Sequence, residues 1–303
     1  MQRALLLAML GLTFMAGGCS VRRFAVKKAG DAIASSGTTF SSDDDPQLVR
    51  EAVPFSLKLI ESLLAETPKH QGLLLAASRG FTQYAYAFIQ EDADEIESRD
   101  LALATELRLR AKRLYLRASE YGLRGLEVRH PGFGNALRKD PVSAAAKITG
   151  VSDIPLLYWT AASWGAAISV SKDVPDLIAD QPIVEALIDR ALRLDEKFAS
   201  GSIHGFLINY EQARQGAPGD PAVRSKQHFE RALELSQGNL ASPLVAYAEA
   251  VCVAKQNRAE FDSLLKRALA VDVNARPEWK LENLVMQRRA RWLLSRTDEL
   301  FAN

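Results

Sequence analysis

LIDRALRLDEKF (residues 187–198), HFERALELSQGN (residues 228–239) and LLKRALAVDVNA (residues 264–275) are three versions of one phrase. Each has an apolar residue three positions before an Ala, then Leu one position after it and a second aliphatic three positions after it. The anchoring residues are Ala191, Ala232 and Ala268, spaced 41 and 36 residues apart. The small Ala lets two helices approach closely, and the flanking apolar side chains fill the groove beside it. One helix pair cannot bury its apolar face alone, so each pair must stack on the next. The phrase therefore predicts an all-α fold of stacked antiparallel helix pairs.

A period of this size is the mark of tetratricopeptide-like repeats, an α-solenoid with a concave surface. The rest of the chain fits that pattern. Residues 48–66 carry Val49, Val53, Leu57, Ile60 and Leu64 on one helical face, and Pro68 ends the run. Residues 71–90 follow, with Leu74, Phe81, Tyr84 and Phe88 at helical spacing and Tyr86 pointing elsewhere. A long helix is expected over residues 96–127, in which Ala111, Tyr115 and Ala118 repeat the phrase in degenerate form. Residues 130–153, rich in Pro and Gly, read as a long connection with one helical turn near residues 142–147. Residues 154–169 form the least polar helix beyond the leader, with Asp153 as N-cap and Pro155 in the first turn. Residues 174–182 read as a connector. Partner helices are expected at residues 202–212 and 243–255, and Pro277 opens a charged C-terminal helix suited to cap the stack.

The N-terminus reads as a secretory leader over residues 1–18: Arg3, an apolar run from Ala4 to Ala16, then Gly17 and Gly18. The run is too short to span a membrane, which takes about 20 apolar residues. Cys19 follows at once and resembles the lipidated Cys of a bacterial lipobox, and Ser20 resembles the pattern that sends such proteins to the outer membrane. Residues 19–45 read as the lipidated Cys and a polar tether, and residues 46–303 as the helical repeat domain. Removal of the leader takes only Arg3, leaving 37 basic against 37 acidic residues. That balance argues against nucleic acid as a partner. Once Cys19 is acylated, Cys252 has no internal disulfide partner.

No catalytic constellation is present. The chain lacks a G-x-S-x-G elbow and a G-x-x-x-x-G-K-[ST] loop. His70, His130, His204 and His228 have no metal-ligand spacing, so neither a metal nor a cofactor is expected. Aromatic residues are the candidates for binding. Tyr84, Phe88, Tyr158, Trp159, Trp164, His204, Phe206 and Tyr210 sit among small residues such as Ala161, Ala162, Gly165 and Ala166. Large rings beside small residues can interlock as core, or can line a hole with a few polar handles. Glu91, Asp92, Asp94 and Glu95 read as a solvated loop. Arg288 and Arg291 share a face of the last helix and could receive an acidic partner surface; solvation or pairing with neighbouring acids is the plainer reading.

Four segments carry a likeness to a known family: AKRLYLRASEYGLRGLE from Ala111, LLYWTAASWGAAISVSKD from Leu156, HFERALELSQGN, and QRRARWLLSRTDELF from Gln287. They resemble the TatT lipoproteins, which accompany tripartite ATP-independent periplasmic (TRAP) transporters. The YWTAASWGAAIS run is the most specific part. The resemblance implies a lipid-anchored periplasmic protein of tetratricopeptide-like repeats. It further implies a homotrimer, a pore or cavity with apolar lining for a small hydrophobic ligand, and the extracytoplasmic solute-binding subunit as partner. A competing expectation is a helical-repeat scaffold lipoprotein for outer-membrane or envelope assembly, with no small ligand and the aromatics simply core.

Overall fold

Asp45 opens the first long helix by accepting hydrogen bonds from the backbone N–H groups of Gln47 and Leu48, both at 3.0 Å. This is helix α1, Pro46–Glu66, in a computed structural model that describes Lys28, residues 30–33 and residues 38–301. The leader and Cys19 lie outside the described residues. All elements among the described residues are helical. Helix α2 starts as Gln71–Tyr84, continues as a π-helical stretch, Ala85–Gln90, and ends as Glu91–Ile96. The long helix α3 is Leu101–Arg129 and starts later than the periodicity indicates. The reason is Asp100, whose carboxylate accepts from the Leu103 N–H at 2.9 Å and so fixes the start there. The expected long connection holds two short helices, α4 (Phe133–Lys139) and α5 (Pro141–Ala146). Then come α6 (Ile154–Ser169), α7 (Gln181–Leu194), α8 (Ser202–Ala213) and α9 (Pro221–Leu235). Helix α10 is Ser242–Tyr247 with a second π-helical stretch, Ala248–Cys252. Helices α11 (Arg258–Leu269) and α12 (Lys280–Ser295) follow, and single helical turns stand at Thr38–Ser41 and Thr297–Leu300. The segment 174–182, read as a connector, contains a turn of helix, Pro175–Ile178.

Side-chain pairs fix how neighbours run. Leu57 of α1 meets Gly80 of α2, and Arg50 reaches Asp92, so the two are antiparallel. Gln90 meets Tyr115 of α3 and Gln71 meets Arg129, again antiparallel. Helix α6 lies antiparallel on α3. A Cβ placed on Gly122 would fall 2.2 Å from Thr160 Oγ1, and one on Gly125 would fall 2.6 Å from Leu156 Cδ2. Both glycines are therefore required for this close approach. Arg129 and His130 then clasp Asp153 at the start of α6, at 2.9 and 3.0 Å. The anchors Ala191 and Ala268 are fully buried and Ala232 nearly so, as the repeated phrase requires.

Two apolar cores result. The first runs from Val49 to Leu207, the second from Ile208 to Phe301; Tyr86, Ala87 and Leu281 touch both. The chain passes between α7 and α8 through Ala199 (φ 44°), Ser200 (φ 55°) and Gly201 (φ 96°). Two consecutive non-glycine residues in the left-handed region are strained.

Candidate functional site

Helix α12 packs its arginines against the end of α2. Arg288 donates to Asp92 at 2.8 Å and to Glu95 at 2.7 Å. Arg289 donates to Asp94 at 2.8 Å, holds Glu249 with a two-pronged contact, and stands 3.5 Å from Glu91. The acidic run read as a solvated loop is instead the last part of α2, and it receives two arginines that lie nearly 200 residues further along the chain. Sequence reasoning missed this because only the fold brings α12 beside α2. Both π-helical stretches border the junction. One ends just before Glu91, and the other carries Glu249. Glu91 is fully buried, and neither of its oxygens accepts a hydrogen bond. Burial pushes its pKa up to about 7; Arg289 works against that shift, while Glu249 and Asp94 add to it. Arg291 is exposed.

A second feature lies on the other side of α2. Its helical faces can be assigned one by one. Gly80 faces α1, Phe81 stacks on Tyr121 of α3 with ring centres 6.0 Å apart, and Ser78 faces Gly122 of α3. The remaining face carries Arg79, Gln83 and Tyr86, at steps of four and three. Tyr86 on this face touches the second core, so the face looks inward between the two cores. Helix α6 packs on α3 through Leu156 and Thr160, and also contacts α2 directly. Its opposite face carries Tyr158, Ala162 and Ala166, all half-buried, with Trp159 on the flank. On α8 the corresponding face carries Ser202, Gly205, Phe206 and Asn209. Phe206 meets α6 at Gly165, where a Cβ would fall 3.2 Å from the ring. A Cβ on Gly205 would meet no heavy atom within 4 Å.

Helix α12 faces this wall with Glu282, whose carboxylate accepts from the Ser242 hydroxyl at 2.7 Å. Glu282 is exposed, and the protein packed around it raises its pKa. Tyr158 is half-buried, and its pKa is likewise raised by burial, then by the charge of Glu282, with Ser202 acting in the opposite sense. Tyr158 of α6, Ser202 of α8 and Glu282 of α12 thus lie near one another and all keep accessible surface, so they border a recess open to solvent.

The structure thus separates the eight aromatic candidates. Tyr158, Trp159 and Phe206 border the recess; Tyr158 and Trp159 meet edge to face at 5.0 Å. Tyr210 stacks on Phe206 at 5.3 Å and donates to Glu185 at 3.3 Å. Tyr84 and Phe88 are buried in the first core. Trp164 is buried and donates to Asp180 at 3.2 Å. His204 turns to α9, where its Nδ1 lies 2.8 Å from Nδ1 of His228. Arg79, Gln83, Ser202 and Glu282 were missed; the clue available was a polar stripe on an otherwise apolar helix, at positions 79, 83 and 86. A separate surface recess of about 260 Å³, between α9, α10 and α11 beside Tyr247 and Cys252, holds none of the candidates.

The chain is 28% identical over 307 aligned positions to an uncharacterized protein of Treponema pallidum (strain Nichols), covering 95% of this chain and 94% of that one. The family described as TRAP transporter T-component matches residues 42–301, from just before α1 to the end of the second core. The chain therefore belongs to the TRAP transporter T-component family and is an accessory component of such a transporter.

Proposed function

We propose that the protein is a periplasm-facing lipoprotein, anchored through Cys19 in the outer membrane, whose tetratricopeptide-like stack holds or channels a small hydrophobic organic ligand for a TRAP transporter. The observation that carries this reading is the inward wall of Tyr158, Trp159, Ala162, Gly205 and Phe206, where rings alternate with small residues beside open space. Such a surface, mostly apolar with a few polar groups, suits a small organic molecule. The extracytoplasmic solute-binding subunit docks on the assembly. Of the two arginines suited to receive it, Arg288 is held by Asp92 and Glu95, and the exposed Arg291 is the one that α12 offers. The protein works as a homotrimer, as its resemblance to the TatT lipoproteins implies.

Gly205→Trp tests the reading. Nothing lies within 4 Å of the Cβ position, so the variant folds, and its indole fills the recess. Uptake through the cognate transporter falls, while co-purification with the identified solute-binding subunit persists. Unchanged uptake refutes the ligand role. Absence of that subunit from purified complexes refutes the docking role.

A further inference from the structure

Residues 19–45 read as a polar tether, yet their described parts are seated on the array at both ends of α1. Gly30 is buried against the start of α2, where a Cβ would fall 3.0 Å from Leu73 Cδ1. Asp31 stands 3.1 Å from His70 Nε2, and Ile33 packs against the first core. Further on, Phe40 packs against the same core, the turn Thr38–Ser41 lies against the start of α12, and Asp44 stands 3.8 Å from Lys280. His70 closes the α1–α2 turn, whereas Asp44 stands just before α1 begins. The segment therefore runs back along the length of α1, about 30 Å. Cys19 lies nine positions before Lys28, the first described residue. Nine positions reach at most about 30 Å, so a lipid on Cys19 keeps the α1–α2 turn within that distance of the bilayer.

The charges of this end match one kind of surface. Lys69 is exposed, and among the described residues no acid pairs with it. Arg124 donates to the Pro68 carbonyl at 3.3 Å and lies over the Tyr121 ring, with no carboxylate on it among the described residues. Most neighbouring acids have partners. Asp31 faces His70, Asp153 is held by Arg129 and His130, and Glu127 accepts from the Gly132 and Gly134 N–H groups; Glu66 is exposed. Residues 19–30 add Arg22, Arg23, Lys27 and Lys28 and no acid.

From this we infer that the α1–α2 turn end of the array docks on the anionic phospholipid surface of the membrane, and that the strap from Lys28 to Asp44 fixes the array in that orientation. The inference rests on the reading of Cys19 as the lipid anchor. The anchor keeps this end near the bilayer, and the cations turn it to the headgroups. Each Lys or Arg strengthens binding to an anionic surface about fivefold. The opposite end carries the acidic run of α2 and gains nothing from an anionic leaflet. Helix α12, tied to that end through Asp44 and Asp92, then lies on the side away from the bilayer.

The test uses the full acylated chain in vesicles of phosphatidylethanolamine with phosphatidylglycerol, and in vesicles of phosphatidylcholine alone. Fluorophores are attached singly through Ser62→Cys, near the end of α1, and Ser98→Cys, in the α2–α3 turn; both serines are exposed, and Cys252 is buried. Energy transfer to headgroup-labelled lipid reports distance. In anionic vesicles the label at position 62 transfers at least about twofold more than the label at position 98, as a height difference of about 30 Å demands. The difference shrinks in phosphatidylcholine. Lys69→Gln combined with Arg124→Gln shrinks it in anionic vesicles and has no effect in phosphatidylcholine. Equal transfer from both positions in anionic vesicles, or more from position 98, overturns the inference. A difference that ignores lipid charge overturns it too, because the tether alone then sets the geometry. Mass spectrometry of Cys19 separates the two readings. An unacylated Cys19 sinks the anchor and the inference together, whereas an acylated chain with equal transfer sinks the inference alone. The two lipid mixtures decide the matter even where the double variant is unstable.

Discussion

Replacing Glu91 by Gln tests the reading of the junction between α2 and α12. Glu91 is fully buried, its oxygens accept no hydrogen bond, and its pKa in the folded protein is about 7 against an ordinary 4.5. The folded state thus holds the proton more tightly than the unfolded chain does. The stabilisation due to the protonated carboxyl is complete below about pH 4.5 and is lost as pH rises through about 7. At about 1.36 kcal/mol per pH unit, the ionised carboxylate costs the fold about 3 kcal/mol at pH 8. Glutamine cannot ionise and so escapes that cost, although its amide N–H₂ sits less well beside Arg289. The net expectation is a gain of about 1–3 kcal/mol at pH 8, shrinking to near zero by pH 4.5. Urea unfolding followed by circular dichroism at several pH values between 4.5 and 8, for both proteins, measures the difference. Taking the difference is necessary because the His204–His228 pair titrates in the same range with the opposite sense. Burial, and then the neighbouring His204, lower the His228 pKa to about 4, so its contribution is lost as pH falls. A Glu91→Gln protein clearly less stable than wild type at pH 8, or a difference independent of pH, refutes the argument. Either result would mean that the ionised Glu91–Arg289 pair is a net stabiliser of the junction.

Further outcomes follow from particular contacts. Gly122→Ala drives a methyl group into Thr160 Oγ1, 2.2 Å from the Cβ position, and costs about 1–3 kcal/mol by thermal or urea unfolding. Ser200→Gly relieves a left-handed non-glycine residue between α7 and α8 (φ 55°) and raises stability by about 0.5–1 kcal/mol, less whatever the more flexible unfolded chain takes back. Asp100→Ala removes the cap that fixes the start of α3 and costs about 1 kcal/mol, with faster amide exchange at Leu103 as the local signature. Cys19→Ala abolishes metabolic labelling with radioactive fatty acid; persistent labelling would place the anchor elsewhere.

The helices were legible in the sequence because their determinants are local. The repeated Ala phrase, the apolar stripe of α1, and the prolines and aspartates at helix ends act within a turn or two and mark α1 and α9 close to where they lie; at α6 Pro155 marks the start, while Asp153 makes no capping bond because its carboxylate is held by Arg129 and His130. Errors arose where local signals competed. The periodicity running into α3 gave way to the Asp100 cap, and the Pro- and Gly-rich stretch after Arg129 still formed two short helices. The site was legible only in part. An aromatic residue announces that it will be buried, but not whether by core atoms or beside a recess. Tyr84 and Tyr158 look alike in sequence and differ only in what packs against them.

By itself, the sequence determined an all-helical chain whose small residues permit close helix contacts, since side-chain size and spacing act on immediate neighbours. It also carried the family likeness, held in contiguous words such as YWTAASWGAAIS. The tertiary structure decided which charges were neutralised. The arginines of α12 find the carboxylates of α2 only because the array turns back on itself, whereas Arg79, on the inward face of α2, finds none. Coulomb interaction and desolvation depend on distance and burial in space, and neither can be read from distance along the chain.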